Sequence, residues 1–188
     1  MFETTPLPDL LVVTPSRHRD GRGWFTEAWS RAAWDAAGLH FDWCQDNHSF
    51  SARSGTIRGL HYQAPPMAQA KLVRCTTGRI RDVAVDVRLG SPGYGQWYGI
   101  ELSAENGRQL LIPRGFLHGF ETLEPDTEIQ YKVDAPYSRA HDGAVRFDDP
   151  TIAIDWSIDP AEALPSDKDA AAAGFHDFDT PFRYEPTP

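Results

Sequence analysis

The sequence predicts an all-β fold, an antiparallel sandwich or barrel with a few short peripheral helices. From Phe41 to Trp156 the chain breaks into short β-like runs, among them KLVRCTTGRIRDVAVDVR, QWYGIELSAENGRQLLIP and TEIQYKV, separated by Gly, Pro and Asn. Turn signals recur about every 8 to 14 residues through this region, the spacing of all-β sandwiches and barrels. A third observation is alternation: DVAVDV carries a valine at every second position, the period of a one-sided strand.

In chain order, the first 20 residues alternate apolar stretches with Pro6, Pro8 and Pro15, and DGRGWFTEAW then reads as a turn followed by an aromatic-rich segment. SRAAWDAAGL, from Ser30 to Leu39, predicts a helix with Ser30 as N-cap and Gly38 as stop. KLVRCTTGRIRDVAVDVR predicts two strands about a turn at Thr77-Gly78. After Pro160, AEALPSDKDAAAAG predicts a short helix, and the Pro-rich end beyond it is expected to be loose. Neither an internal repeat nor a low-complexity block is present. We expect a single domain over 1–188, with its core over about 41–156 and a C-terminal tail over 157–188.

Composition limits the partners. A hydrophobic fraction of 40% with six Trp suits a folded chain with a real core. The net charge of -9 and pI near 5.1 argue against nucleic acid and anionic membrane surfaces, which need clustered Lys and Arg. An anionic substrate would need a local basic pocket instead. MFETTPLPDLLVV lacks the cationic and apolar regions of a signal peptide, and no stretch approaches the roughly 18 apolar residues of a spanning helix, so a cytoplasmic location is expected. Cys44 and Cys75 have no metal-binding spacing and read as reduced thiols.

Several clusters have residue types suited to chemistry, each with a structural alternative. GTIRGLHYQ holds Arg58 and His61, and QAKLVRC holds Lys71 and Arg74. The odd spacing of Arg58 and His61 puts them on opposite faces of a regular strand unless Gly59 marks a bulge. A surface histidine among surface cations is the competing reading. In IPRGFLHGFETL, Pro113 and Gly115 form a turn that delivers His118 among Phe116, Leu117 and Phe120, where a buried imidazole needs a hydrogen-bond partner. Cupin barrels place a metal-binding histidine in a similar turn, but GLHYQ supplies one histidine and Gln63 rather than the two histidines and glutamate that would complete such a site. Tyr131 and Tyr137 in EIQYKVDAPY are acid candidates or packing tyrosines, and Asp167 and Asp169 of LPSDKD are candidates or helix-capping acids. No phosphate loop of the Walker or dinucleotide type is present, and no G-x-S-x-G elbow.

Taken together, DGRGWFTEAW, QDNHSFS, GTIRGLHYQ, QAKLVRC, DVAVDVRLGSPGYGQW, LSAENGRQLLIPRGFLHGF, EIQYKV, RFDDPTIAIDW and LPSDKD resemble, in order and spacing, the dTDP-4-dehydrorhamnose 3,5-epimerase family. The resemblance runs from about Gly21 to Asp169. It implies a cupin-like jelly-roll β-barrel, a homodimer, a dTDP-sugar substrate inside the barrel, no cofactor and no metal. It assigns His61 as the base, Asp169 as its partner, Tyr131 as the general acid and Lys71 to a place near the substrate C4 oxygen. Arg22 and Arg58 match positions that hold the diphosphate, and Trp24 and Phe25 match aromatic contacts to the base. Glu27, Gln45 and Asn47 match polar contacts nearby, and His118 and Tyr137 complete the implied substrate-binding set. The resemblance also implies that part of the N-terminal segment comes from the neighbouring subunit. Arg139 and His141 depart from the family pattern after Tyr137, which leaves the exact sugar open.

The implied reaction explains the residue types. In a 4-keto sugar the hydrogens at C3 and C5 are both α to the carbonyl, so removing either gives an enolate without any redox cofactor. A neutral imidazole suits the abstraction, and a buried carboxylate fixes its tautomer and stabilises the imidazolium. Inversion needs an acid on the opposite face, and the oxyanion needs a nearby cation. The expected activity is conversion of dTDP-4-dehydro-6-deoxyglucose to dTDP-4-dehydrorhamnose. The alternatives are a 3- or 5-mono-epimerase on a related sugar, a metal-dependent cupin and a non-catalytic sugar-binding cupin.

Overall fold

Short strands dominate the chain, because Gly and Pro interrupt every apolar run before a long helix can form. The structure, a computed structural model, describes residues 1–186. It begins with β1 (Phe2–Thr4), β2 (Leu11–Val13) and a hairpin of β3 (Arg17–Asp20) and β4 (Gly23–Thr26), then helix α1 (Arg31–Ala36). The barrel strands follow as β5 (Gln45–Ser51), β6 (Ile57–Gln63), β7 (Lys71–Thr77), β8 (Arg79–Asp86), β9 (Trp97–Ser103), β10 (Gln109–Ile112), β11 (Phe116–Thr122) and β12 (Thr127–Val133). A short β13 (Asp142–Ala144) and helix α2 (Asp167–Ala170) complete the elements used below.

Two antiparallel sheets face each other. One has the order β1-β2-β10-β7-β12-β5 and the other β13-β6-β11-β8-β9. Apart from the β8–β9 hairpin, successive barrel strands fall in different sheets, as in a jelly roll. Between the sheets lies the inner core, with Val73, Leu110, Ile112 and Ile129 from one wall and Ile80, Ala84, Leu102 and Phe120 from the other. The expected turn between β7 and β8 is present, with Gly78 at φ +73° where a side chain would collide with Thr127.

The outer face of the second sheet is covered as well. Ile57, Leu60, Val83, Val85 and Leu117 pack beneath Val145, Phe147, Ile152, Trp156 and Phe182. The alternation in DVAVDV is therefore real but not one-sided: Val83 and Val85 face this outer layer, while Ala84 faces the barrel. This covering also corrects the expectation of a loose tail. Thr180 and Phe182 are buried, and the Tyr184 amide donates to the Leu89 carbonyl at 2.9 Å. Burying a Phe ring contributes about 1.5–3 kcal/mol, enough to hold a short segment that also makes main-chain bonds. Residues 187 and 188 of that tail lie outside the described residues.

Both predicted helices are shorter than expected. α1 spans Arg31–Ala36, and the Ser30 hydroxyl makes no cap bond. Gly38, at φ +76°, ends the turn by donating to the Asp35 carbonyl. The helix is held by one anchor, Trp34, which packs on Val13, Leu72 and Leu111 over the outer face of the first sheet. α2 is a single turn capped by Ser166, whose hydroxyl accepts from the Asp169 amide at 3.1 Å. Among the described residues no helix is long and apolar enough to cross a membrane.

Candidate active site

The site starts from a register defect. β6 and β11 pair His61 with His118 and then Arg58 with Phe120, so β6 uses one more residue than its partner over this stretch. Gly59 sits in it at φ +136°. A Cβ there would lie 2.5 Å from Gly119 Cα and 2.8 Å from the His118 carbonyl oxygen, so only glycine fits. The bulge turns Arg58 and His61 into one cavity of about 480 Å³, within the range of small-molecule sites. The odd spacing that would have separated them is thereby cancelled.

His61 Nε2 lies 2.6 Å from Asp169 Oδ1. The carboxylate side chain is 3% exposed and the imidazole 33%, so the acid is sealed while the ring remains accessible. Burial works to raise the Asp169 carboxyl, but the bonds from His61 and Ser166 outweigh it and hold the group below its ordinary value. An ionised partner at Nε2 selects the tautomer with its proton there and leaves Nδ1 with the lone pair a base needs.

Tyr131 comes from β12 in the other sheet and lines the same cavity, so it stands on the wall facing His61. Its hydroxyl is pushed above the ordinary tyrosine value by burial, with Asp142 adding to the effect and Arg58 opposing it. Lys71, at the start of β7, has its ammonium lowered to about 8 by burial, against the pull of Asp82 and Asp142. Behind it, His118 Nε2 lies 2.8 Å from Asp82 Oδ1, and both residues are buried. Burial holds His118 below its ordinary value despite Asp82.

A contiguous recess of about 250 Å³ shares His61, Lys71 and Tyr131 and adds Gln45, Asn47, Tyr137 and Asp142. The Gln45 amide donates to Asn47 Oδ1 at 2.8 Å, and Gln45 Oε1 accepts from the Tyr137 amide at 3.2 Å. Asp142 accepts from the Tyr137 hydroxyl at 3.3 Å and from Lys168. His141 Nδ1 lies 2.7 Å from Ser138 Oγ and fixes the loop that carries the exposed Arg139 beside this recess.

Arg22, Phe25 and Glu27 are not brought to this cavity within the chain. The β3–β4 hairpin projects Arg22, 91% exposed, and Phe25, 71% exposed, while Glu27 lines a neighbouring cleft on the first sheet that shares only Asn47 and Tyr131 with the site. Asp82, Asp142 and Lys168 were not singled out from the sequence. For Asp82 a signal existed: in DVAVDV it shares the Ala84 face, opposite the valines, and that face points into the barrel. Asp142 and Lys168 sit in polar stretches with no such mark. Among the described residues no group of three or more His, Cys, Asp or Glu side chains is arranged to hold a metal ion.

A jelly-roll barrel brings a His-Asp pair, a lysine and a tyrosine to one interior cavity of a size suited to a small molecule. Residues 4–177 match the family model described as dTDP-4-dehydrorhamnose 3,5-epimerase. A curated dTDP-4-dehydrorhamnose 3,5-epimerase from Sinorhizobium fredii is 46% identical over 187 residues, covering 97% of this chain and 93% of that protein. The fold is shared with the dTDP-4-dehydrorhamnose 3,5-epimerase of Bacillus anthracis with TDP and PPi bound, at TM-score 0.90 and 44% identity over 93% of this chain and 98% of that one. It is shared also with a dTDP-6-deoxy-D-glucose-3,5-epimerase from Legionella pneumophila in complex with dTDP-4-keto-L-rhamnose, at TM-score 0.92 and 39% identity over 99% of each chain. The chain belongs to the dTDP-4-dehydrorhamnose 3,5-epimerase family and has its cupin-like jelly-roll fold.

Proposed function

We propose that the protein inverts C3 and C5 of dTDP-4-dehydro-6-deoxyglucose to give dTDP-4-dehydrorhamnose. The observation that carries the proposed mechanism is the His61-Asp169 pair on one wall of the cavity and Tyr131 on the facing wall. His61 takes the proton from C3 or C5, and the electron pair moves onto the C4 oxygen as an enolate. Lys71 answers that charge as an ammonium. Tyr131 returns a proton on the opposite face, and exchange with solvent restores both side chains before the second carbon reacts. No redox cofactor enters this cycle, because each step moves only a proton.

Arg58, exposed at the cavity rim, is the cation of this chain assigned to the diphosphate. Gln45, Asn47 and Tyr137 hold the substrate in the adjoining recess, and His118, expected from the resemblance to bind substrate, lies behind Lys71 in the cavity wall. Arg22, Trp24, Phe25 and Glu27 act in a homodimer, where the hairpin reaches the neighbouring subunit's barrel. The support for this is the hairpin's solvent exposure, with Trp24 50% and Phe25 71% exposed. The reading keeps the cytoplasmic location expected from the sequence.

The test is incubation with dTDP-4-keto-6-deoxyglucose in deuterated water followed by coupling to a 4-keto reductase. Deuterium at both C3 and C5 with an L-rhamnose product supports the reading. Exchange at one carbon alone would make the protein a mono-epimerase, and no exchange would remove the reading.

A further inference from the structure

Behind the residues assigned to proton transfer lies a second acid-imidazole pair that the reaction does not consume. Asp82 on β8 and His118 on β11 are 0% and 6% exposed, with Asp82 Oδ1 2.8 Å from His118 Nε2. The other ring nitrogen, Nδ1, is 3.5 Å from Lys71 Nζ. Asp82 Oδ2 has no partner among the described residues. Resting on the mechanism proposed above, we propose that Asp82 and His118 are positioning residues for Lys71: the carboxylate fixes the imidazole with its proton on Nε2, and Nδ1 then accepts from the lysine and aims its ammonium at the C4 oxygen.

The charges require this order. A neutral imidazole that donates through Nε2 to a carboxylate must accept at Nδ1, and an ammonium is a donor only. The opposite tautomer would place an N–H against Lys71 and leave Asp82 facing a lone pair. The groups around Lys71 are Asp82 and His118 from the second sheet, His61 from the same sheet, Tyr131 from β12, and Asp142 with Lys168 at the recess. Asp82 and Asp142 favour the charged lysine, and burial opposes them. The 3.5 Å contact is long for a hydrogen bond, as such contacts often are before substrate closes a site.

His118→Phe, His118→Asn and Asp82→Asn separate this role from its competitors. The Asn side chain presents an oxygen close to the position of the imidazole Nδ1, whereas Phe presents none. We expect His118→Phe to lower kcat by about 10²-fold with KM within a few-fold, and His118→Asn to recover at least about tenfold of that loss. Asp82→Asn should move the alkaline limb of kcat/KM to lower pH, because the lysine loses a carboxylate that favours its charged form. Circular dichroism and dTDP binding establish that each variant is folded. A rise in KM at constant kcat would make His118 a substrate contact, and equal activity of His118→Phe and His118→Asn with an unmoved limb in Asp82→Asn would make the pair merely structural. Either outcome overturns the proposal. Failure of the mechanism itself reads differently, since His61→Asn would then remain active in the same assay.

Discussion

His61 and Asp169 are 108 positions apart in sequence, yet Nε2 and Oδ1 meet at 2.6 Å at the edge of the barrel cavity. α2 makes this possible. Its single turn lodges the carboxylate against β6, and Ser166 bonds the Asp169 amide so that the acid points inward rather than into solvent.

Asp169→Asn should lower kcat by about 10²- to 10⁴-fold, because an amide keeps the shape but no longer selects the tautomer or balances the imidazolium. His61→Ala and His61→Asn should nearly abolish turnover with nucleotide binding retained within a few-fold. The double variant His61→Asn/Asp169→Asn should be no worse than His61→Asn by more than about threefold, since the two act as one unit. Additive losses in steady-state rates would show that Asp169 works independently of His61.

The activity should fall on the alkaline side as Lys71 loses its proton. Its ammonium is held at about 8 by burial, so the charged form needed to meet the enolate dominates below that pH and is lost above it. The limb should appear in kcat/KM, which reports the free enzyme. Lys71→Met should lower kcat by about 10²- to 10³-fold and abolish the limb. A limb near 8 that persists in Lys71→Met would belong to another group.

Gly59→Ala tests the bulge. The added methyl meets backbone on two sides at a φ of +136°, so neither neighbour can yield cheaply. We expect a loss of at least about 2 kcal/mol, read as a fall of roughly 4 to 8 °C in Tm. Activity should fall further than stability, because Arg58 and His61 would no longer share a cavity. An unchanged melting curve would mean that the register defect is not required.

If the hairpin serves the neighbouring barrel, mixing two inactive variants should restore function. In a heterodimer of His61→Asn with Arg22→Ala, one barrel keeps its own His61 and receives an intact Arg22 from the other chain. Unfolding and refolding the two together should recover activity well above either variant alone. No recovery, with heterodimers present by native mass spectrometry, would place Arg22 in the site of its own chain.

The strand pattern was legible in the sequence because it is local, whereas roles for the site residues came only with the family resemblance. The β7–β8 turn and the alternation in DVAVDV follow from spacing within a few residues, and the same spacing left Gly59 open between a bulge and a regular strand until register decided it. The partner of His118 was not legible, since Asp82 reaches it only through strand register 36 positions away. Nor was the docking of Phe182, whose place depends on an outer sheet face that alternation alone makes look solvent-facing. The short α1 has the same cause: its length is set by where Trp34 finds a hydrophobic seat, not by the cap residues around it.

The assignment of His61 and Tyr131 to opposite faces of one sugar is tested most directly by Tyr131→Phe. The variant keeps the ring between the sheets and removes only the hydroxyl. Solvent deuterium incorporation, measured by mass spectrometry, and inversion, measured by coupled reduction, are read on the same sample. Exchange through His61 should persist with retention while inverted product falls to little or none. A wild-type ratio of exchange to inversion would contradict the acid role of Tyr131 and pass it to Tyr137 or to solvent.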